Sequence, residues 1–138
     1  MRKLLLASHG PLAGAMRETL QLFCGKDPRI KVLCAYVDED SMDVNGLIDL
    51  WERSREAGDQ WIVITDIYGG SVNNAFMERL VDDSLRLVAG MSLPLVLEVF
   101  SQLDTLDDAA LAALVSSVCQ KGAVLCSLSD SAGEDEEF

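Results

Sequence analysis

The chain has 138 residues, of which 49% are hydrophobic and 25% charged, as in one globular domain with a buried core. Its net charge of −12 excludes the usual nucleic-acid binders and proteins that bind anionic membranes, because both kinds of ligand are negatively charged. No apolar run approaches the roughly 18–20 residues of a membrane span, and the apolar start is too short for a signal peptide, so we expect a cytoplasmic protein.

Apolar runs of strand length alternate with amphipathic stretches of helical period. Strands are predicted at four apolar runs: Lys3–Ser8, Ile30–Val37, Gln60–Asp66 and Leu85–Ala89. Helices are predicted at five amphipathic stretches: Leu12–Phe23, Val44–Ala57, Val72–Val81, Pro94–Gln102 and Asp107–Gln120. A last strand is expected at Ala123–Leu128. The alternation predicts an α/β fold with a doubly wound, mainly parallel sheet of order 2-1-3-4 and helices on both faces.

The chain shows neither an internal repeat nor a linker. We therefore predict one domain over residues 3–128, followed by an acidic, disordered tail at 129–138. The four cysteines, Cys24, Cys34, Cys119 and Cys126, form no CxxC pair, and a single histidine cannot complete the usual zinc sets. We expect reduced thiols, no metal and no cofactor.

Two predicted strands end in residues that can carry chemistry. His9 follows the first strand, and Asp66 ends the third. In doubly wound sheets the first and third strands commonly lie side by side, and reactive groups gather at their carboxyl ends. A neutral imidazole is a competent nucleophile near neutral pH, and a carboxylate on one ring nitrogen fixes the tautomer and leaves the other nitrogen free. His9 and Asp66 are therefore the candidate catalytic pair.

A glycine-rich turn follows Asp66 and opens a predicted helix. The backbone N–H groups of Gly70, Ser71 and Val72 are candidate phosphate donors, with Ser71 as N-cap and additional hydroxyl donor. Neither a Walker A lysine motif nor GxGxxG is present, so nucleotide binding is not indicated. Each feature alone also occurs in ordinary structure: a lone histidine is often structural, and an aspartate or a Gly-Gly-Ser turn often only caps a strand or helix.

Three segments together resemble the enzyme IIA component of the mannose-type sugar phosphotransferase system. They are Ser8-His9-Gly10, the block from Thr65 to Ala75, and the block from Val88 to Pro94. The resemblance runs from Lys3 to about Leu128, in order and at the family's spacing. One departure is Val72, where relatives often carry proline after Gly-Gly-Ser; valine still enters a helix and supplies an N–H. Many relatives also continue into a IIB domain.

The resemblance implies a phosphocarrier. His9 would be phosphorylated by the phosphocarrier protein HPr and would pass the group to an enzyme IIB, supporting sugar uptake and phosphorylation. Asp66 would support His9, and Ser71 would line the phosphate. The protein would be a phosphotransferase component with a phosphohistidine intermediate, not a stand-alone catalyst. Family members are homodimers that exchange their last strand between subunits.

Other functions remain open on the residues alone. A regulatory module that signals through His9 phosphorylation would use the same chemistry as a transport component. Metal chelatases and phosphohistidine-type phosphatases also carry a His-Gly near the first strand. The phosphatases require an arginine before that pair and a second histidine, whereas here Ser8 precedes His9 and no second histidine exists.

Overall fold

The computed structural model describes residues 1–131. Within them, four strands form one parallel sheet: β1 (Arg2–His9), β2 (Ile30–Ala35), β3 (Gln60–Thr65) and β4 (Leu85–Ala89). Five α-helices accompany the sheet: α1 (Leu12–Cys24), α2 (Val44–Ser54), α3 (Ser71–Met77), α4 (Leu93–Ser101) and α5 (Asp108–Lys121). Two short 3₁₀ turns lie at Glu39–Ser41 and Leu128–Ser131. None of the helices in these residues is both long enough and apolar enough to cross a membrane.

The strand order is β2-β1-β3-β4, as the sequence predicts. Leu6 at the centre of β1 lies opposite Val32 of β2 and Ile64 of β3, so the three strands run in register. Because all pairs are parallel, the carboxyl ends of β2, β1 and β3 meet at one edge of the sheet.

Alternate residues of each strand enter two separate apolar cores. Leu4 and Leu6 of β1 pack with α1, α4 and α5 on one face. Leu5 and Ala7 pack with α2 and α3 on the other, where Trp51, Trp61 and Phe76 supply the largest side chains. The predicted coverage of both faces is confirmed, and the sheet between the two cores is a rigid support for the loops at its edge.

Three predicted elements end two or more residues earlier in the structure, and a change of backbone conformation accounts for the first two. β2 stops at Ala35 rather than Val37, since Tyr36 adopts a positive φ of 65°. α2 stops at Ser54 rather than Ala57, since Arg55 is extended and reaches Asp82 at 3.0 Å. α3 begins at Ser71 and ends at Met77 rather than Val81, and its chain continues as turns.

The predicted last strand at Ala123–Leu128 is absent from the single chain. Residues 123–127 have no regular structure, and Val124 and Leu125 expose their side chains. A strand needs a neighbour for its backbone hydrogen bonds, and the sheet within residues 1–131 consists of β1 to β4 alone. The exchange of this segment between subunits stays a prediction. Most of the predicted acidic tail, residues 132–138, lies outside the described residues.

Candidate active site

His9 and Asp66 meet where β1 and β3 end. His9 is the last residue of β1, and Asp66 directly follows β3. The hydroxyl of the buried Ser8 accepts the N–H of Ala13 at 2.8 Å, which fixes the start of α1 against the end of β1. His9 therefore projects from a firmly held backbone at the edge of the sheet.

The carboxylate of Asp66 holds His9 at two points. Its Oδ2 accepts the backbone N–H of His9 at 2.8 Å and lies 2.8 Å from the ring Nδ1, while its Oδ1 accepts the N–H of Ile67 at 3.0 Å. The Asp66 side chain is only 12% exposed, against 39% for His9. Burial by itself would raise the pKa of Asp66, but the hydrogen bonds from the His9 backbone and ring outweigh it, and the pKa is lowered. Asp66 is a carboxylate at neutral pH.

Ser71 contacts the second ring nitrogen of His9, the one that Asp66 does not occupy. Its Oγ lies 3.1 Å from Nε2 of His9. The prediction of Ser71 as N-cap is wrong: Gly70 takes that position with an extended backbone, and Ser71 is the first helical residue. This frees the Ser71 hydroxyl for the histidine, because it is not used to cap the helix.

Gly70 is the point of closest approach between the turn and the histidine. A Cβ at Gly70 would lie 3.1 Å from Cε1 of His9 and 2.8 Å from the Ile67 side chain, so a larger residue would displace the ring or the turn. The Gly70 N–H is directed to the Ile67 carbonyl at 3.3 Å rather than into the site, contrary to the prediction of a free donor. The N–H groups of Ser71 and Val72 lie in the first turn of α3, which leaves them without partners inside the helix.

Tyr36 also reaches the site, and sequence reasoning missed it. Its hydroxyl lies 2.8 Å from Ser71 Oγ, and its ring centroid lies 5.5 Å from that of His9. The available signal was position: Tyr36 follows β2, and β2 lies beside β1, with His9 opposite Ala35.

The site is composed of an imidazole, a carboxylate and two hydroxyls. Among residues 1–131, no group of three or more His, Cys, Asp or Glu side chains is placed to hold a metal ion. The arrangement can fix one ring nitrogen of His9 and present the other, together with hydroxyl and backbone donors, to an electrophile that carries negative charge.

Comparison with known proteins shows the family of the chain. A family model, EIIA-man, described as the fructose IIA component of the phosphotransferase system (PTS), matches residues 3–118. The chain belongs to the EIIA-man family. The sorbose-specific EIIA component of the PTS from Klebsiella pneumoniae is 29% identical in an alignment of 121 positions that covers 83% of this chain and 87% of that protein.

Solved structures of PTS proteins share the fold of this EIIA-man chain. A protein of Klebsiella pneumoniae subsp. pneumoniae, assigned as a phosphoenolpyruvate-dependent PTS permease, superposes with a TM-score of 0.83 at 31% identity, covering 94% of both chains. The IIA protein of the fucose utilization operon of Streptococcus pneumoniae gives a TM-score of 0.69 at 26% identity over 94% of both chains. The mannose/sorbose-specific IIA subunit of Enterococcus faecalis gives 0.68 at 25% identity, covering 92% of this chain and 96% of that one.

The predicted resemblance to the mannose-type IIA components is therefore confirmed. Membership of EIIA-man makes the chain a component of a sugar phosphotransferase system, and it favours that role over a chelatase or a phosphatase. Two of the three segments on which the resemblance depends form the site, since His9 ends β1 and Asp66 to Ser71 form the turn. The third segment leads into α4 and is joined to the end of β3, where the N–H of Met91 donates to the Thr65 carbonyl at 2.9 Å.

Proposed function

We propose that this protein carries a phosphoryl group on Nε2 of His9, accepts it from HPr and passes it to an enzyme IIB. The supporting observation is the 2.8 Å contact between Nδ1 of His9 and Asp66, which occupies one ring nitrogen. The other ring nitrogen, Nε2, stays available on a side chain that is 39% exposed. Membership of the family supports a role in phosphoryl transfer, because EIIA-man proteins are components of the PTS.

The tautomer of His9 follows from the charge of Asp66. A carboxylate can only accept hydrogen bonds, so Nδ1 carries the proton in the neutral ring and Nε2 carries the lone pair. When Nε2 is phosphorylated, the ring acquires positive charge, which the adjacent carboxylate stabilises. Asp66 therefore both directs the nucleophile and stabilises the phosphorylated state.

Transfer would be a displacement at phosphorus. The lone pair of Nε2 forms the new bond to phosphorus, and the bond between phosphorus and the donor's leaving atom breaks, with its electron pair staying on the donor. The proton on Nδ1 remains against Asp66 throughout. The reverse geometry delivers the group to the acceptor. No other co-reactant is needed, because the phosphoryl group only exchanges one nucleophile for another.

The turn before α3 would bind the transferred group. The Ser71 hydroxyl already lies within 3.1 Å of Nε2, and the N–H groups of Ser71 and Val72 are available in the first helical turn. Gly70 keeps the turn free of a side chain beside the ring. Phosphoryl oxygens on Nε2 would meet these donors without displacement of the backbone.

We also propose that the protein is a homodimer that exchanges its C-terminal segment. β4 is an edge strand, and an open groove of about 830 Å³ runs along Leu87, Val88 and Ala89 and the facing side of α5. Residues 123–126 of the same chain belong to no strand of the described sheet and expose Val124 and Leu125. An edge strand and an exposed apolar segment outside the sheet favour pairing between two copies.

Phosphorylation of the purified protein by HPr tests the main proposal. Intact-mass spectrometry should show one added phosphoryl group, labile in acid and stable in base, because His9 is the only histidine of the chain. The His9→Ala variant, with an unchanged circular dichroism spectrum, should show none. Stoichiometric phosphate on His9→Ala would contradict the assignment, and Ser71 would then be the next acceptor to examine.

A further inference from the structure

Tyr36 is joined to the histidine by a chain of two hydrogen bonds. The Tyr36 hydroxyl lies 2.8 Å from Ser71 Oγ, and Ser71 Oγ lies 3.1 Å from Nε2 of His9. We propose that Tyr36 is a positioning residue, which acts on His9 through the Ser71 hydroxyl and stabilises the phosphorylated state. This inference rests on the proposed function of His9.

The direction of every hydrogen bond in the chain follows from Asp66. In the neutral ring the N–H at Nδ1 donates to the carboxylate, so Nε2 can only accept. Ser71 must then donate its single hydroxyl proton to Nε2, and its oxygen accepts the proton of the Tyr36 hydroxyl. The result is one ordered series of donors that begins at Tyr36 and ends at the nucleophilic nitrogen.

The backbone of Tyr36 is held in a costly conformation. Among residues 1–131, it is the one non-glycine residue with a positive φ, at 65°. The conformation is fixed by the buried Ser41: its carbonyl accepts the Tyr36 N–H at 2.8 Å, and its hydroxyl oxygen accepts the N–H groups of Val37 and Asp38, each at 2.9 Å. Strain of this kind persists where the surrounding structure imposes it, and it is concentrated at functional sites.

The strained turn places the Tyr36 ring against the site. The ring is tilted by 33° to the imidazole, with its centroid 5.5 Å away. The side chain is therefore located by contact with the histidine as well as by its hydroxyl, and the hydroxyl meets Ser71 rather than solvent alone. A side chain that served only to cover the imidazole of His9 would not need a hydroxyl.

Phosphorylation would give the Ser71 hydroxyl a new acceptor, while the hydrogen bond from Tyr36 to Ser71 would remain. Once Nε2 is bonded to phosphorus its lone pair is used, and the Ser71 hydroxyl can donate to a phosphoryl oxygen instead. Tyr36 continues to donate to Ser71 Oγ, which strengthens the bond that Ser71 makes. Hydrogen bonds to a charged acceptor are roughly twice as strong as neutral ones, so the phosphorylated state gains more from Tyr36 than the free state.

The test is a double-mutant cycle on the equilibrium between phosphorylated HPr and this protein, read by intact mass. Tyr36→Phe keeps the ring and the backbone but removes the hydroxyl. We expect a loss of about two- to threefold in the equilibrium constant, which is less than a whole hydrogen bond, because Tyr36 donates to Ser71 in both states and only the strengthening differs between them. In a Ser71→Ala background the same change should have no effect, because the link is already cut. An equal loss in both backgrounds, or no loss in either, would overturn the proposal.

Ser101→Ala is the control, since Ser101 is exposed at the end of α4 and its hydroxyl donates to the Glu98 carbonyl at 3.0 Å. A second measurement uses the ¹⁵N resonance of Nε2, which needs no assignment to a residue because the chain has a single histidine. Tyr36→Phe should shift this resonance and Ser101→Ala should not. If HPr phosphorylates wild type and Tyr36→Phe alike, with the resonance unmoved, the Tyr36 proposal fails alone. If the wild-type protein takes no phosphate while Tyr36→Phe still shifts the resonance, the proposed function is wrong. The role of Tyr36 in phosphoryl transfer is then wrong as well, and only the hydrogen bonds from Tyr36 through Ser71 to His9 are supported.

Discussion

At the scale of single residues, Asp66 does more than orient a ring. Its Oδ2 binds both the backbone N–H and the ring Nδ1 of His9, so the carboxylate fixes the position of the residue as well as its tautomer. Its Oδ1 is used by the N–H of Ile67. All three bonds require acceptor oxygens, which an amide cannot supply on both sides.

We therefore expect Asp66→Asn to slow phosphoryl transfer to and from His9. The asparagine must place its NH₂ group towards either His9 or Ile67, and in each case this donor would face an N–H group that also donates. A loss of about ten- to a hundredfold is expected, as for other carboxylates that orient a histidine. Rapid-quench kinetics with HPr as donor and enzyme IIB as acceptor measure it, with circular dichroism as the check on folding. Unchanged rates in both directions would make Asp66 a turn residue only.

The sequence predicts the residues of the site better than their contacts. His9, Asp66 and Ser71 could be selected because two parallel strands end beside each other and because their side chains suit phosphoryl chemistry. The position of Gly70 as N-cap and the direction of its N–H depend on the turn from Ile67, which no spacing pattern reports. Tyr36 could not be found by periodicity, since its φ of 65° is imposed by a buried serine five residues later.

At the scale of elements, the loop before β4 is tied to the end of α2. Asp82 accepts the N–H and the hydroxyl of Ser84 at 2.8 and 2.6 Å, and it pairs with Arg55 at 3.0 Å. Arg55 also donates to the Ser84 hydroxyl and lies over the ring of Trp51. These contacts explain why α2 ends before its predicted boundary: the side chain of Arg55 is used between elements, and its backbone is extended.

This cluster predicts a pH-dependent part of the stability. The Ser84 hydroxyl and N–H, followed by Arg55, lower the pKa of Asp82 from 3.8 to about 2. A lowered folded pKa stabilises the fold above the unfolded value and loses that effect as pH falls towards 2. Since the side chain is 42% exposed, solvent screening leaves about 1 kcal/mol or less.

Asp82→Asn should therefore lower the free energy of unfolding near neutral pH, and its difference from wild type should shrink as the pH falls below about 4. Urea unfolding at a series of pH values measures both. Asp83→Asn is the control, because Asp83 is exposed and takes no part with its side chain in these hydrogen bonds. A deficit that persists undiminished in acid would show that Asp82 acts through packing or neutral hydrogen bonds rather than through its charge.

At the scale of the whole molecule, the strand order and the two-faced coverage were predictable, and the end of the chain was not. Buried parallel strands are continuous apolar runs, and their alternation with amphipathic helices leaves few topologies. Ala123–Leu128 has the same apolar character, but no partner strand exists for it in residues 1–131 of one chain. A single-chain pattern specifies that a strand should form, whereas the location of its partner depends on assembly.

Leu125 offers a test of that assembly. Its side chain is 96% exposed in the single chain, so Leu125→Glu should be harmless if the protein is a monomer. If the segment pairs with β4 of a second copy and fills its groove, the charge is buried and the dimer should dissociate. Light scattering of wild type should give twice the 15.0 kDa of one chain, with Leu125→Glu falling towards one chain on dilution.

Leu22→Glu is the matched control for this change, since Leu22 on α1 is 85% exposed and does not line the groove along β4. Leu22→Glu should keep the mass of the wild-type protein. Removal of all residues from Ala123 onward should abolish dimerisation and lower solubility together, because the groove along β4 would then stay open to solvent. A wild-type mass of one chain at every concentration would refute the exchange. The chemistry of His9 would stand even then, because His9, Asp66, Ser71 and Tyr36 all come from one chain.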